Sequence, residues 1–481
     1  MNEVAAKNYE KYLFWICLWM AALAILPYSW LPGGMDIDSC HYGVVSRTIM
    51  ETGKWLGIYD VLDKGYFYTH FPLCLWITAF LFKILGVSTF TAKLLSMLSG
   101  IALVGAIFYF GRLIKNSWVG FFAGIAILLT DPIVRTARKC RLDIPLALFI
   151  TLALLFFILA QKRSRWYYLL FGVFTSLAIM AKDVAGITPI LIAVIYLILL
   201  WRWKELLHPL FILGLSLAIA PVLVWAWADK GVIFNSWYNC NFIYLMKTTS
   251  RYVRWYFYFW VLGTKYFYLL PAAVYGAYLG WKDALKTKNY EVLLLIIWAL
   301  IFPAAFSFGR QKLDYLIIPM YPATALLAGL AVDSILKDVT KNNAAKWAKY
   351  VLLAGTIVVA CLPLTVKSKR FDISVNVAPV LDQLVKQAPK YEVVIYKQDR
   401  ASLLFYSQEL RDLIMVSEKG DLEKLLSSVN DKVRFYFLSD HDFDELSPDV
   451  RNSAKILFRY KDRIVAVNQK EPALVVTLPQ K

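Results

Sequence analysis

The stretch RTARKCRLDIPLALFITLALLFFILAQKR (135–163) decides which solvent this chain folds in. From Leu142 to Ala160 it carries a single charge, Asp143, and is otherwise apolar enough for a helix that crosses the hydrocarbon of a bilayer, which takes about 20 residues. Cations bracket the run: Arg135, Arg138, Lys139 and Arg141 precede it, Lys162 and Arg163 follow it. The rest of the chain repeats the pattern. Of 481 residues, 59% are apolar and 18% charged, whereas a soluble domain carries about 25% charged residues, so a water-soluble enzyme is set aside.

Working outward, apolar runs at 12–32, 90–111, 117–134, 142–160, 166–181, 184–201, 208–228, 263–280, 291–308, 313–336 and 347–366 read as spanning helices. The first follows Lys7 and Lys11 as a signal peptide would, but no small-residue cleavage site comes after it, so it reads as a retained span. Short connections rich in cations (Arg112/Lys115, Lys162/Arg163/Arg165, Arg202/Lys204, Lys282/Lys286/Lys288, Lys337/Lys341/Lys346/Lys349) belong on the cytoplasmic side with the N-terminus. An even number of spans must then separate Lys11 from Arg112. That places the shorter run 71–85, which contains Lys83, along the outer interface. The fold class expected is an all-α polytopic membrane protein of 11 spans, or 12 to 13 if weaker segments cross, with outer loops at 33–89 and 229–262. Residues 1–366 form the membrane domain.

The net charge of +18 could point to nucleic acid, but the last 115 residues hold 19 basic and 17 acidic groups. The excess therefore lies in the membrane part, where loop cations orient the chain and meet anionic head groups; no nucleic-acid partner is expected. Six cysteines without a CxxC pair indicate neither a zinc site nor a disulfide framework. After Lys367 the composition turns soluble. Strands are expected at 392–397, 433–439, 456–467 and 473–478, with helical periodicity between them, making residues 367–481 a small α/β domain on the outer face.

The informative cations violate the orientation rule. Arg135, Arg138, Lys139, Arg141, Lys182, Arg251, Arg254, Lys265, Arg310 and Lys312 all fall at expected outer ends of spans. Either they snorkel to lipid head groups or they hold an anion at the outer leaflet, for which a phosphate is the natural candidate. Carboxylates accompany them: Asp36 and Asp38 in GGMDIDSCHY, and Asp143 beside Arg141. Such groups serve as general bases or bind a divalent cation. Helix N-capping is the competing account for Asp36 or Asp38, and an ion pair with Arg138 or Arg141 for Asp143.

Several blocks in order resemble the polytopic glycosyltransferases of the GT-C superfamily that use polyprenyl-phosphate sugars, the group of lipid A aminoarabinose transferases (ArnT-like) and protein O-mannosyltransferases (PMT-like). MDIDSCHYGVVSRTIMETGKWL (35–56) is similar to their first outer loop, with Asp38, Tyr42, Gly53 and Trp55 matching and Ser39 in place of a Glu. YFYTHFPLCLW (66–76) resembles the start of the interfacial helix through His70, Pro72 and Leu73. RTARKCRLDIPLALF (135–149) resembles an Arg-x-x-Arg-x-Asp block that places Asp143 on the second acidic position. LAIMAKDVAGITP (177–189) matches at Lys182 but has Asp183 where the family has Gly, and FSFGRQKLDYLIIPMYPATALL (306–327) resembles the late basic, Tyr and Pro block. Thr69 stands where some members carry a metal-binding Glu, and residues 229–262 contain no His. No Trp-Trp-Asp block occurs, which argues against the oligosaccharyltransferase branch.

The resemblance implies an enzyme that moves one sugar from a polyprenyl (undecaprenyl or dolichyl) phosphate to a lipid A, protein or glycan acceptor, with inversion. It implies action at the outer face of a plasma or bacterial inner membrane, as a monomer among membrane lipids. Asp38 would accept the acceptor proton, helped by Asp36 and Asp143. Lys182, Arg135, Arg141, Arg310, Lys312 and His70 would hold the donor phosphate, while Tyr42, Arg251, Arg254 and Tyr315 would line the acceptor site or a lid. No particular cofactor is indicated; a divalent cation near Asp36, Asp38 or Asp143 is the one addition the carboxylates suggest. The aromatic run 251–268 fits a lid over the lipid tail or an interfacial belt. A secondary transporter or lipid flippase is the alternative of a different class, and it would place ionisable residues at span centres.

Overall fold

The computed structural model describes residues 3–67, 69–229, 254–308, 312–339, 373–388, 390–398, 400–410, 413–428 and 432–468. Its helices run α1 (Glu3–Ile25), α2 (Ile37–Thr52), α3 (Leu73–Leu85), α4 (Thr89–Ile114), α5 (Ser117–Leu129), α6 (Asp131–Ala137), α7 (Asp143–Lys162), α8 (Tyr167–Lys182), α9 (Thr188–Leu199), α10 (Pro209–Ala228), α11 (Phe257–Lys265), α12 (Leu270–Thr287), α13 (Glu291–Ser307) and α14 (Tyr321–Val339). A C-terminal group follows: α15 (Ile373–Gln387), α16 (Arg400–Tyr406) and α17 (Lys419–Ser427), interleaved with strands. The chain forms two units, Met1–Trp30 with Tyr68–Lys367, and Leu31–Phe67 with Ser368–Lys481.

The described elements of the first unit are all helices. Among the described residues, five stretches are long and apolar enough to cross a membrane: Thr89–Ile114, Asp143–Lys162, Tyr167–Leu199, Pro209–Ala228 and Asp314–Lys337. A sixth is counted if α5 and α6, bent by 73°, form one span. Several of the expected runs are bent or shortened by local causes. Pro132 cannot continue the α5 ladder, α13 has only 17 residues, and the run at 263–280 starts its helix at Leu270. The run 347–366 lies outside the described residues. Tyr167–Leu199 is not one rod: Gly186 lies directly against the backbone of Ala178 and Ile179, residues about 10 Å away along a continuing helix. The chain therefore reverses between α8 and α9, and any Cβ at 186 would collide with that backbone. Interhelical contacts are close where side chains are small. At the α8–α10 crossing, Gly172 and Gly214 allow the two backbones to touch.

The two ends of α7 differ in chemistry. At its C-terminal end Lys162 pairs with Glu291, a carboxylate that lines one cavity with Lys115, Lys282 and Lys286 and a second with Lys162, Arg202 and Lys288. Cations from four separate connections thus meet at one end of the bundle. The other end carries Asp143.

In the second unit a mixed five-stranded sheet has the order β4–β3–β5–β7–β6, with β3 (Tyr391–Tyr396), β4 (Ile414–Val416), β5 (Val433–Ser439), β6 (Ala454–Tyr460) and β7 (Arg463–Asn468). Strand β3 runs parallel to β4 and β5, and β7 antiparallel to β5 and β6. Val394, Tyr436 and Ala466 fill one face while Val393, Phe435 and Val465 are buried on the other, as expected of a sheet covered on both sides. The run 456–467, read from sequence as one strand, is a hairpin, because Lys461 takes a positive φ of 55° beside Asp462. A short pair, β1 (Tyr59–Asp60) with β2 (Gly65–Tyr66), follows α2. The strand expected at 473–478 lies outside the described residues.

Candidate functional site

Asp143 is the first residue of α7 and is buried, at 2% exposure. One carboxylate oxygen takes the Lys182 ammonium and the other lies 3.3 Å from Arg141 Nε. A buried carboxylate is retained only when its charge is matched, and here two cations do so. Arg141 is itself held by Ser96: the hydroxyl donates to the Arg141 carbonyl (2.6 Å) and accepts from its amide (3.2 Å). The aromatic ring of Tyr315 completes the group. The Arg141 guanidinium sits 4.6 Å and the Lys182 ammonium 5.1 Å from its centroid. A ring face that two cations share offsets part of their mutual repulsion.

Lys182 ends α8, and the next residue shapes the site. Asp183 has φ 50°, ψ −128°, a conformation that glycine adopts without strain. Its carboxylate bridges to the start of the interfacial helix: one oxygen is 2.7 Å from His70 Nδ1 and the other accepts the Phe71 amide at 2.6 Å. Asp183 is 3% exposed, so both bonds are sheltered from water. Phe71 continues the clamp through an edge-on contact with Trp225 at 4.8 Å, in an apolar cluster with Ile179 and Met180. The segment 70–73 is thereby tied to the α8–α9 reversal, which places His70 beside Asp183, next to Lys182 in the chain.

The structure thus brings Asp143, Arg141, Lys182, Tyr315 and His70 into one cluster. Arg135 stands apart, paired with Asp131 one turn away on an exposed face. Arg254 is exposed and donates to the Tyr256 hydroxyl. Lys312 is buried, and desolvation lowers its pKa from the ordinary lysine range. Arg310 and Arg251 lie outside the described residues. In the aromatic run, Trp255, Phe259, Trp260 and Phe267 are exposed, whereas Tyr258 and Tyr266 are buried.

The remaining candidates belong to the second unit. Asp36 is the N-cap of α2, accepting from the Ser39 amide (3.0 Å) and hydroxyl (2.5 Å). Asp38 is in the first turn of that helix, and Tyr42 is buried one turn on. His41 Nε2 is 2.6 Å from Asp60, and these two with Asp63 form one of the residue groups able to take a metal ion; His441, Asp442 and Glu445 form another. One imidazole with two carboxylates suits a divalent cation. Asp60 is also engaged by the Leu62 amide, and Arg400 lies 3.4 Å from Asp63.

Across 96% of this chain and 98% of the other, the structure superposes on ArnT from Cupriavidus metallidurans in the apo state with a TM-score of 0.71 at 18% identity. The same protein bound to undecaprenyl phosphate gives 0.69 over 97% and 98%. Residues 69–227 match the dolichyl-phosphate-mannose-protein mannosyltransferase family. The undecaprenyl phosphate-alpha-4-amino-4-deoxy-L-arabinose arabinosyl transferase of Aeromonas salmonicida is 26% identical over 348 residues, 68% of this chain and 60% of its own length. The match thus spans about three-fifths of the length of such relatives. In sequence the chain resembles the arabinosyl transferases, and in fold it resembles ArnT.

Proposed function

We propose that this protein is a membrane glycosyltransferase that moves a single sugar from a polyprenyl phosphate to an acceptor hydroxyl or phosphate. The observation that carries the reading is the buried group of Arg141, Lys182 and Tyr315 around Asp143. Departure of a phosphate needs its charge stabilised more than it needs a proton, and fixed cations at a low-dielectric boundary supply that. His70, held by Asp183, is a further donor to the phosphate, and Lys312 adds a cation from the segment preceding Asp314. The solved ArnT bound to undecaprenyl phosphate supports a lipid phosphate as the donor class.

In this reading Asp38 accepts the proton of the acceptor, the acceptor oxygen attacks the anomeric carbon opposite the phosphate, and the configuration inverts. Asp36 fixes the start of the helix that carries Asp38. Arg135, Arg310, Tyr42, Arg251 and Arg254 serve the donor or the acceptor at the rim. The reaction proceeds at the outer face of a plasma or bacterial inner membrane, and the acceptor is lipid A, protein or glycan. A divalent cation near Asp36, Asp38 or Asp143 belongs to this reading, and His41 of α2 with Asp60 and Asp63 is a ligand set of suitable composition for one.

Mass spectrometry of lipids and surface glycans from cells with and without the chain tests this. Loss of one sugar substituent, with its polyprenyl-phosphate donor accumulating, is expected. Unchanged glycans with altered solute uptake would overturn the reading in favour of a transporter.

A further inference from the structure

Helix α2, which carries Asp36 and Asp38, is fastened to the C-terminal domain by its far end. Arg47 is buried on α2, and its guanidinium donates to the carbonyls of Leu404 (2.9 Å) and Ser407 (2.8 Å) at the C-terminal end of α16. The last carbonyls of a helix lack partners within it and carry the negative end of its dipole, so a buried guanidinium is a strong match for them. The receiving turn is itself fixed. Asp382 of α15 bonds the Ser407 hydroxyl and accepts the amides of Gln408 (2.8 Å) and Glu409 (3.3 Å). Elsewhere along the contact, a Cβ on Gly43 would stand 2.5 Å from the Phe405 ring, and the Ser402 hydroxyl lies 3.5 Å from Cys40 Sγ. Arg400 reaches Asp63 in the turn beyond β1.

We propose that the C-terminal domain is the mount that sets the position of Asp36 and Asp38, and that Arg47 is the positioning residue joining them. Arg47 sits roughly two and a half turns beyond Asp38, about 14 Å along the helix, so it acts through α2 and not on substrate. The claim that this placement matters for chemistry rests on the proposed transferase reading; the claim of docking does not.

The test uses the full chain in membranes and an engineered Ser402→Cys. Disulfides form between Cβ atoms about 3.5–4.5 Å apart, so mild oxidation should link Cys40 to the new thiol at 402, identified by peptide mass spectrometry. Arg47→Ala should lower the yield of that link, and Arg47→Lys should keep most of it. In sugar-transfer assays Arg47→Ala should lower kcat about 10- to 100-fold, the cost of a misplacement near 1 Å, with KM for the donor unchanged. Oxidation of the Ser402→Cys, Arg47→Ala double variant should restore the rate. No link in the parent background would overturn the docking. Efficient linking with a full rate in Arg47→Ala would overturn the positioning role. If the unaltered chain transfers no sugar, the transferase reading falls together with the positioning role, while the cross-link still decides the docking.

Discussion

Replacing Asp143 by Asn removes one negative charge from between two buried cations, and its consequences have opposite signs in two assays. The carboxylate now touches Lys182 and lies 3.3 Å from Arg141 Nε. Removing one partner of a buried pair costs about 3–5 kcal/mol, and the amide oxygen of Asn retains part of the hydrogen bonding, so a loss of about 3 kcal/mol is expected. An anion seated on the far side of the same cations would lie about 7 Å from the carboxylate. At an effective dielectric of about 20, that repulsion is about 2.4 kcal/mol, or about 50-fold in Kd. Asp143→Asn in detergent should therefore melt earlier than the parent chain yet bind polyprenyl phosphate tens of times more tightly. Added ligand should recover much of the lost stability. Unchanged or weaker lipid-phosphate affinity in a variant that still folds would refute the assignment of Lys182 and Arg141 as an anion site held in check by Asp143.

Lys182→Ala should weaken use of the donor more than of the acceptor, seen as a rise in donor KM; equal effects on both would contradict a phosphate contact. Tyr315→Phe keeps the ring under Arg141 and Lys182 and should change stability little, whereas Tyr315→Leu should cost about 1–2 kcal/mol in thermal unfolding. Asp183→Gly loses the clamp on His70 and Phe71 but relaxes the backbone. Asp183→Ala loses the clamp and keeps the strain, so it should be the less stable of the two by about 1 kcal/mol. The reverse order would show that φ at 183 is not strained.

How far the sequence could be read depended on the range of the forces involved. Apolar runs and their flanking cations report on the bilayer directly, so the helical class and Asp143, Lys182 and Arg141 were visible as charges where charges are costly. Asp183 was visible only as a departure at a glycine position. Its φ of 50° accounts for the glycine, and its two bonds to residues 70 and 71 account for the aspartate. An acidic residue inside an apolar run was the signal that could have found it. Tyr315 as a platform for two cations was not legible, since 174 residues separate it from Arg141 in the chain. The grouping of 31–67 with the C-terminal domain was hidden for the same reason. The Arg47 contacts cross 357 and 360 residues, and an arginine at mid-helix has no pattern that names its partner. The Lys461–Asp462 turn was missed because both flanking segments have strand-like composition and no glycine interrupts them.

The most direct test reconstitutes the purified chain in lipid nanodiscs with a polyprenyl-phosphate sugar and a panel of lipid, peptide and glycan acceptors, following release of the free polyprenyl phosphate. Release that requires an acceptor, that disappears in Asp38→Asn and that falls in Lys182→Ala at limiting donor, is the predicted result. Donor that survives intact with every acceptor, or release that persists in both variants, would contradict the account.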